Sequence, residues 1–228
     1  MQTALLSGQP NLLPPAGAPG TLYGSLLNQG AQLDALASSI HGDWGTSVYK
    51  AAPQAPVLYI KSRNTFVGSG AKVLVPAGCD AVEIGATWGL IIGKTACRVS
   101  ASQALEFVSG IVLVNDLSIP HASVHRPPVR YRCRDGFCPI AGQSLPVTDM
   151  LPELSVWLDQ TLQQTVRFAR LLRSPAQLIA DVSAFMTLQT GDILHVGVDA
   201  APALARAGQQ VRIEAQGLAP LVTNLVAA

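Results

Sequence analysis

The sequence predicts a mainly β chain with a few helices, an α+β arrangement, on two observations. From Val57 onward, short runs rich in Val, Ile and Leu alternate with turn residues: VLYI at 57–60, KVLVPAG at 72–78, WGLIIGK at 88–94, GIVLVND at 110–116, SVWLD at 155–159, DILHVGV at 192–198 and QVRIEAQG at 210–217. Runs of this length between Gly, Pro, Asn and Asp are the mark of strands. Helical spacing, by contrast, is confined to a few short segments.

The elements follow in order. Residues 1–20 carry Pro10, Pro14, Pro15 and Pro19 among Gly and Ala, a composition that disfavours helix and strand alike and predicts a flexible arm. The rest, 21–228, predicts one domain, since no block recurs and the length suits a single core. Leu26 to Ile40 has apolar residues at 26, 27, 33, 36 and 40, weakly helical, and Gly42, Gly45 and Pro53 end it. Ser102 to Val108 reads as a helix capped by serine, with Glu106 inside it. Ser174 to Met186 repeats apolar residues at 178, 179, 182, 185 and 186, with Pro175 suited to a first turn. QVRIEAQG reads as the last strand.

Charge excludes some function classes. Fifteen Lys and Arg balance fourteen Asp and Glu, so the chain has no field to steer it to nucleic acid or an acidic membrane surface. Only 13% of residues are charged. Mean hydropathy is positive, and two readings of that stay open: apolar surface covered in an oligomer, or a value raised by abundant alanine. There is no apolar run of about 18 residues and no basic start followed by an apolar block, which gives the expectation of a cytoplasmic protein. Cys79, Cys97, Cys133 and Cys138 show no CxxC and no His pair at zinc spacing, so buried free thiols are expected. His121 and His125, four apart, would share a helix face, but Pro120, Pro127 and Pro128 argue against that helix and against a zinc role. No phosphate-cradling GxxxxGK and no GxSxG elbow occur.

Five blocks, APVLYIKSRNT at 55–65, GATWGLIIGKTACRV at 85–99, NDLSIP at 115–120, RYRCRDGFCPI at 130–140 and LQTGDILHVG at 188–197, resemble in sequence and order those of the fumarylacetoacetate hydrolase superfamily. Within it, the GAT and RCRDGFCPI blocks are most similar to the N-terminal half, or separate N-terminal subunit, of the isomerase/decarboxylases of 4-hydroxyphenylacetate (homoprotocatechuate) degradation. The resemblance implies a mixed β-sandwich roll with peripheral helices, assembled as dimers. It also implies a Mg or Mn ion, held by two strand glutamates and an aspartate, that chelates a 2-oxo acid and stabilises an enolate.

Measured against that pattern, this chain departs at several positions. The two glutamates fall on Gly85 and Thr87, leaving Asp116 as the remaining family ligand. Glu83 is a candidate replacement, but one strand step moves a side chain by about 6.5 Å, a full pleat from the first missing ligand. A solvated carboxylate for Glu83, and a turn-capping role for Asp116 after Asn115, are the plainer expectations. The family's acid/base His and Glu fall on Gln32 and Ala35, and Gln32 exchanges no proton near neutral pH. The family lysine falls on Arg132, which can clamp a carboxylate but not shuttle a proton. In the late turn, Val196-Gly197-Val198-Asp199 stands where relatives have Thr-Gly-Thr-Pro.

Lys61, Arg63, Asn64, Arg132 and Arg134 are the candidate binding residues, a cationic pocket suited to a small dicarboxylate. Equally open are an Arg134–Asp135 ion pair and a subunit contact for Lys61 and Arg63. Three functions remain: a catalytically silent subunit paired with a homologous metal-bearing one or with itself, a metal-dependent decarboxylase or tautomerase using Asp116, Glu83 and Arg132, and a dicarboxylate-binding protein without chemistry.

Overall fold

The computed structural model describes residues 20–40, 53–121, 128–148 and 150–228. The expected arm up to residue 19, the helix stops Gly42 and Gly45, and His125 lie outside them. In chain order the strands are β1 (Leu22–Leu26), β2 (Val57–Lys61), β3 (Phe66–Gly68), β4 (Ala71–Val75), β5 (Val82–Ile84), β6 (Ala86–Ile92), β7 (Val108–Asn115), β8 (Cys138–Leu145), β9 (Leu154–Leu158), β10 (Thr161–Val166), β11 (Ile193–His195), β12 (Ala203–Ala205), β13 (Gln210–Glu214) and β14 (Leu221–Ala227). The α-helices are α1 (Gly30–Ile40), α2 (Val129–Arg132) and α3 (Pro175–Phe185).

A seven-stranded sheet runs in the order β2-β1-β11-β6-β7-β8-β3, a five-stranded sheet in the order β10-β9-β13-β14-β4, and β12 pairs with β5. The larger sheet is centred on β6, whose seven residues are all buried. A continuous apolar run rather than alternation is what a strand covered on both faces requires. Trp88 in β6 is fully buried, and its indole donates to the Pro152 carbonyl at 2.8 Å. β14 of the smaller sheet lies against β7 and β8, and β9 against β6, so the core fills the space between two curled layers. The mainly β prediction holds.

Several boundaries differ from the sequence reading. The helix expected from Leu26 starts at Gly30, because Leu26 still pairs with Val57 as the end of β1. Leu27 adopts a left-handed φ of 57°, and its amide donates to Gln32 Oε1 at 2.8 Å. The serine-capped helix after Ser102 is a single 3₁₀ turn, Ala104–Phe107, since Val108 already pairs with Ile92. α3 forms as expected, with Ser174 Oγ accepting from the Gln177 amide at 3.2 Å and Pro175 in the first turn. QVRIE is not the last strand: β14 follows it, buries Leu221, Thr223 and Leu225 on alternate positions, and joins β13 antiparallel and β4 parallel.

The thiols also divide. Cys138 is buried, Cys79 and Cys133 are half-buried and Cys97 is exposed, so the expectation of four buried thiols holds fully for one. Burial pushes the Cys138 thiol up to about 12, only partly offset by Lys61.

Asn28 ties the helical layer to the sheet. Its side-chain amide donates to the carbonyls of Val196 at 2.8 Å and Arg173 at 3.1 Å, and its carbonyl accepts from the Arg173 amide at 2.9 Å. Replacing Asn28 by Ala strands these partners and is expected to lower the unfolding free energy by about 3 kcal/mol. Ser174→Ala, which removes one exposed cap, should cost about 1 kcal/mol. Urea denaturation of the two variants checks the ranking. Thiol titration of the native protein should modify Cys97 first and Cys138 only on unfolding.

Candidate functional site

The alternation of β2 is inverted. In VLYIK the inward positions are Tyr59 and Lys61, while Ile60 between them is 56% exposed. An amine that enters a core needs a partner that repays its lost hydration. Lys61 faces three oxygens: Asp116 Oδ1 at 2.8 Å, the Leu117 carbonyl at 3.0 Å and the Arg132 carbonyl. The two carbonyls are hydrogen-bonded acceptors, whereas Asp116 Oδ1 is held by charge alone and is a buried oxygen without a hydrogen bond.

Asp116, just past the end of β7, is the focus. Its Oδ2 accepts from Arg132 Nη1 at 2.8 Å and from the Tyr59 hydroxyl. His195 Nε2 stands 3.5 Å from the same oxygen and 2.8 Å from the Tyr59 oxygen. The amides of Ser25 and Gly197 both point at His195 Nδ1, at 3.4 and 3.1 Å, so Nδ1 accepts and Nε2 carries the hydrogen. Arg132 Nη1 also donates to the Tyr59 oxygen at 3.1 Å, and the guanidinium lies 4.7 Å from the ring centroid.

Glycines make this convergence possible. Across the sheet Tyr59 is opposite Gly24, Gly24 opposite His195, and His195 opposite Gly89. A Cβ on Gly24 would stand 2.2 Å from the Tyr59 ring, so the missing side chain is the space in which the tyrosine leans over β1 toward His195.

Burial drives the Asp116 carboxyl upward, but Lys61, Arg132 and His195 outweigh it and hold it well below the ordinary carboxylate range. Burial, reinforced by Asp116 against the pull of Arg132, holds the Tyr59 phenol well above its ordinary value, so it stays a neutral hydroxyl. Arg132, disfavoured by burial, is held charged by the carboxylates of Asp116 and Glu83.

Several expected roles are corrected. Asp116 caps no turn: its side chain is wholly buried and ion-paired. Glu83 is half-buried rather than solvated, and close enough to act electrostatically on Arg132. It does not share one strand with Thr87, because the chain leaves β5 at Gly85 and enters a different sheet in β6. The proposed cationic pocket is divided: Lys61 and Arg132 enter the buried cluster, Arg63 is exposed on a 3₁₀ turn, and Arg134 lines a separate cavity. Asn64 braces structure, donating to Asp135 Oδ1 at 2.6 Å and to the Cys133 carbonyl at 3.1 Å. Asp135 thus turns to Asn64, and Arg134 forms no ion pair with it. Gln32 clamps the Leu27 turn, and Ala35 is exposed on α1. His121 stacks on Tyr131.

Tyr59 and His195 were missed by the sequence reading, which weighed only His121 and His125. A signal existed: Tyr59 is two residues from Lys61 on one strand face, and His195 is the sole polar residue inside the run ILHVGV.

A Mg or Mn site of the kind the family resemblance implies does not fit these residues. A Cβ on Gly85 would lie 2.3 Å from the Asp116 carbonyl oxygen, Thr87 Oγ1 is spent donating to the Gly197 carbonyl at 2.6 Å, and Asp116 is held by protein cations. Among the described residues, no three His, Cys, Asp or Glu side chains gather as metal ligands.

Comparison with known proteins gives a consistent kinship. Residues 22–226 match the fumarylacetoacetate (FAA) hydrolase C-terminal family. The 4-hydroxyphenylacetate degradation bifunctional isomerase/decarboxylase of Escherichia coli is 37% identical over 209 residues, covering 91% of this chain and 47% of the relative. The chain thus spans about half the length of that relative. Two solved structures share the fold: a 5-carboxymethyl-2-hydroxymuconate delta-isomerase from Mycobacterium smegmatis (TM-score 0.74, 23% identity, 92% of this chain and 80% of that one) and a fumarylacetoacetate hydrolase family protein from Yersinia pestis (TM-score 0.76, 19% identity, 91% and 94%).

Asp116→Asn would leave Lys61 and Arg132 buried against a neutral amide, and is expected to cost about 3–5 kcal/mol. Because the fold lowers the Asp116 pKa below its unfolded value of 3.8, its contribution is complete above that pH and is lost as pH falls toward the folded value. The stability gap between wild type and Asp116→Asn should therefore be flat near neutrality and narrow below about pH 4, as chemical denaturation across pH will read.

Proposed function

Because the chain belongs to the fumarylacetoacetate hydrolase family, we propose that it is the N-terminal-type subunit of a 4-hydroxyphenylacetate-pathway isomerase/decarboxylase, silent in catalysis by itself. It would pair with a homologous unit that carries the metal. The observation that carries this reading is the engagement of Asp116: its two oxygens face Lys61, Arg132 and Tyr59 within a buried cluster. A carboxylate so occupied would have to break two ion pairs before ligating a divalent cation, and each costs several kcal/mol to leave unpaired. The length relation supports the partner, since the Escherichia coli relative has room for a second unit of this size.

The two rival functions draw less support. A metal-dependent decarboxylase or tautomerase using Asp116 and Glu83 needs both carboxylates free to converge, whereas Asp116 is neutralised by Lys61 and Arg132. A dicarboxylate receptor built on Lys61 and Arg132 needs open donors. The Lys61 side chain has no exposed surface and is turned to Asp116 and two backbone carbonyls.

In this role the cluster does structural chemistry. Lys61 supplies the positive charge that Asp116 requires, and Arg132 orients Tyr59 and anchors α2. His195, with Nδ1 fixed by two amides, holds the Tyr59 hydroxyl from the other side. The phenol is held neutral and the carboxylate ionised.

Elemental analysis after incubation with excess magnesium and manganese tests the proposal, with an active family member as control. The expected result is a loaded control and no stoichiometric metal on this chain, together with no turnover of 2-oxo dicarboxylates by the chain alone. Stoichiometric metal, or metal-dependent turnover without a partner, would overturn it. Gly85→Glu with Thr87→Glu is expected to lower stability without creating a metal site, because Asp116 stays ion-paired.

A further inference from the structure

We propose a second site, a cavity of about 510 Å³ on the outer side of α2 that binds a small aromatic monocarboxylate. Its lining includes none of the residues of the buried cluster. Arg132 turns inward to Asp116, whereas its neighbours Arg130, Tyr131 and Arg134 line this cavity, with Ile119, Leu204 and Asp80. The volume falls in the range of small-molecule sites.

Charge gives the class of ligand. Arg130 and Arg134 face one carboxylate, Asp80, which leaves one positive charge in the lining. Neither arginine is in an ion pair among the described residues. A planar carboxylate is the group that a guanidinium fork satisfies best. A second carboxylate on the ligand would meet Asp80, so a monoanion fits better than a dianion.

Shape gives the body of the ligand. Tyr131 is held flat against the His121 imidazole, with ring centroids 4.7 Å apart and an interplanar angle of 5°. His121 is itself fixed by donating from Nδ1 to the Ile119 carbonyl at 2.9 Å. This makes one aromatic wall whose orientation costs a ligand little to use. Ile119 and the 55%-exposed Leu204 supply apolar surface. An aromatic ring bearing one carboxylate satisfies both features, and the site is independent of whether the buried cluster is catalytic.

The test is a fluorine-NMR titration of 4-fluorobenzoate against the full chain. Saturable broadening is expected, displaced by benzoate and not by benzamide. Arg130→Gln and Arg134→Gln should each weaken binding about tenfold, as loss of a charge-assisted pair does. Asp80→Asn should tighten it about threefold by removing a like charge, a gain that misfolding does not mimic. All three variants should melt at the wild-type temperature. Absence of saturable binding, displacement by benzamide as well as by benzoate, or equal affinity in the Arg130→Gln/Arg134→Gln double variant would overturn the site.

Discussion

A fully buried ammonium, Lys61, facing a fully buried carboxylate, Asp116, is the constraint on which the rest of this structure depends. Each charge loses several kcal/mol of hydration on entering the core, and neither is tolerable without the other. Arg132 adds a second cation, and Tyr59 and His195 complete the hydrogen-bonding shell. The five side chains come from β2, the end of β7, α2 and β11, so the cluster pins an edge strand, a central strand and a peripheral helix to one point. The sheet therefore cannot shift register in one of these elements without exposing or orphaning a charge.

Backbone shape lets that point exist. Gly24 gives the Tyr59 ring its space, Gly89 makes room for Ile193, Val112 and Val114, and Gly85 lets the Asp116 backbone approach so closely that its amide donates to the Gly85 carbonyl at 2.9 Å. At Gly85 the missing side chain allows the close pairing of the β5–β6 junction with the segment after β7.

Kinship and chemistry thus separate. The chain keeps the family fold, as similarity to solved structures shows at TM-scores above 0.7, yet the fold carries no function by itself. A divalent cation and a pair of protein cations answer the same electrostatic need at a buried aspartate. They differ in what they leave available: a metal keeps open positions for substrate oxygens, whereas Lys61 is wholly buried against protein oxygens.

How much was legible follows from the range of each interaction. Strand content and α3 with Pro175 in its first turn could be read from order and local pattern, because apolar periodicity and first-turn proline are properties of neighbouring residues. Strands such as β1, with Gly24 inside LYGSL, and β14, with Asn224 inside LVTNLVA, were not read, since their composition is undistinguished and their neighbours β11 and β4 supply the reason they are strands. The membership of the cluster was likewise a tertiary decision. Lys61, Arg63, Arg132 and Arg134 look alike as a basic set in sequence, but which two enter the core depends on the face of β2 and the direction of α2. Asp116 meets Lys61 55 residues away and His195 79 residues away, contacts that no local pattern encodes. The amino-acid sequence by itself determined the family and the β character. Only the folded sheet decided that buried cations, drawn in to neutralise Asp116, take up the remaining carboxylate.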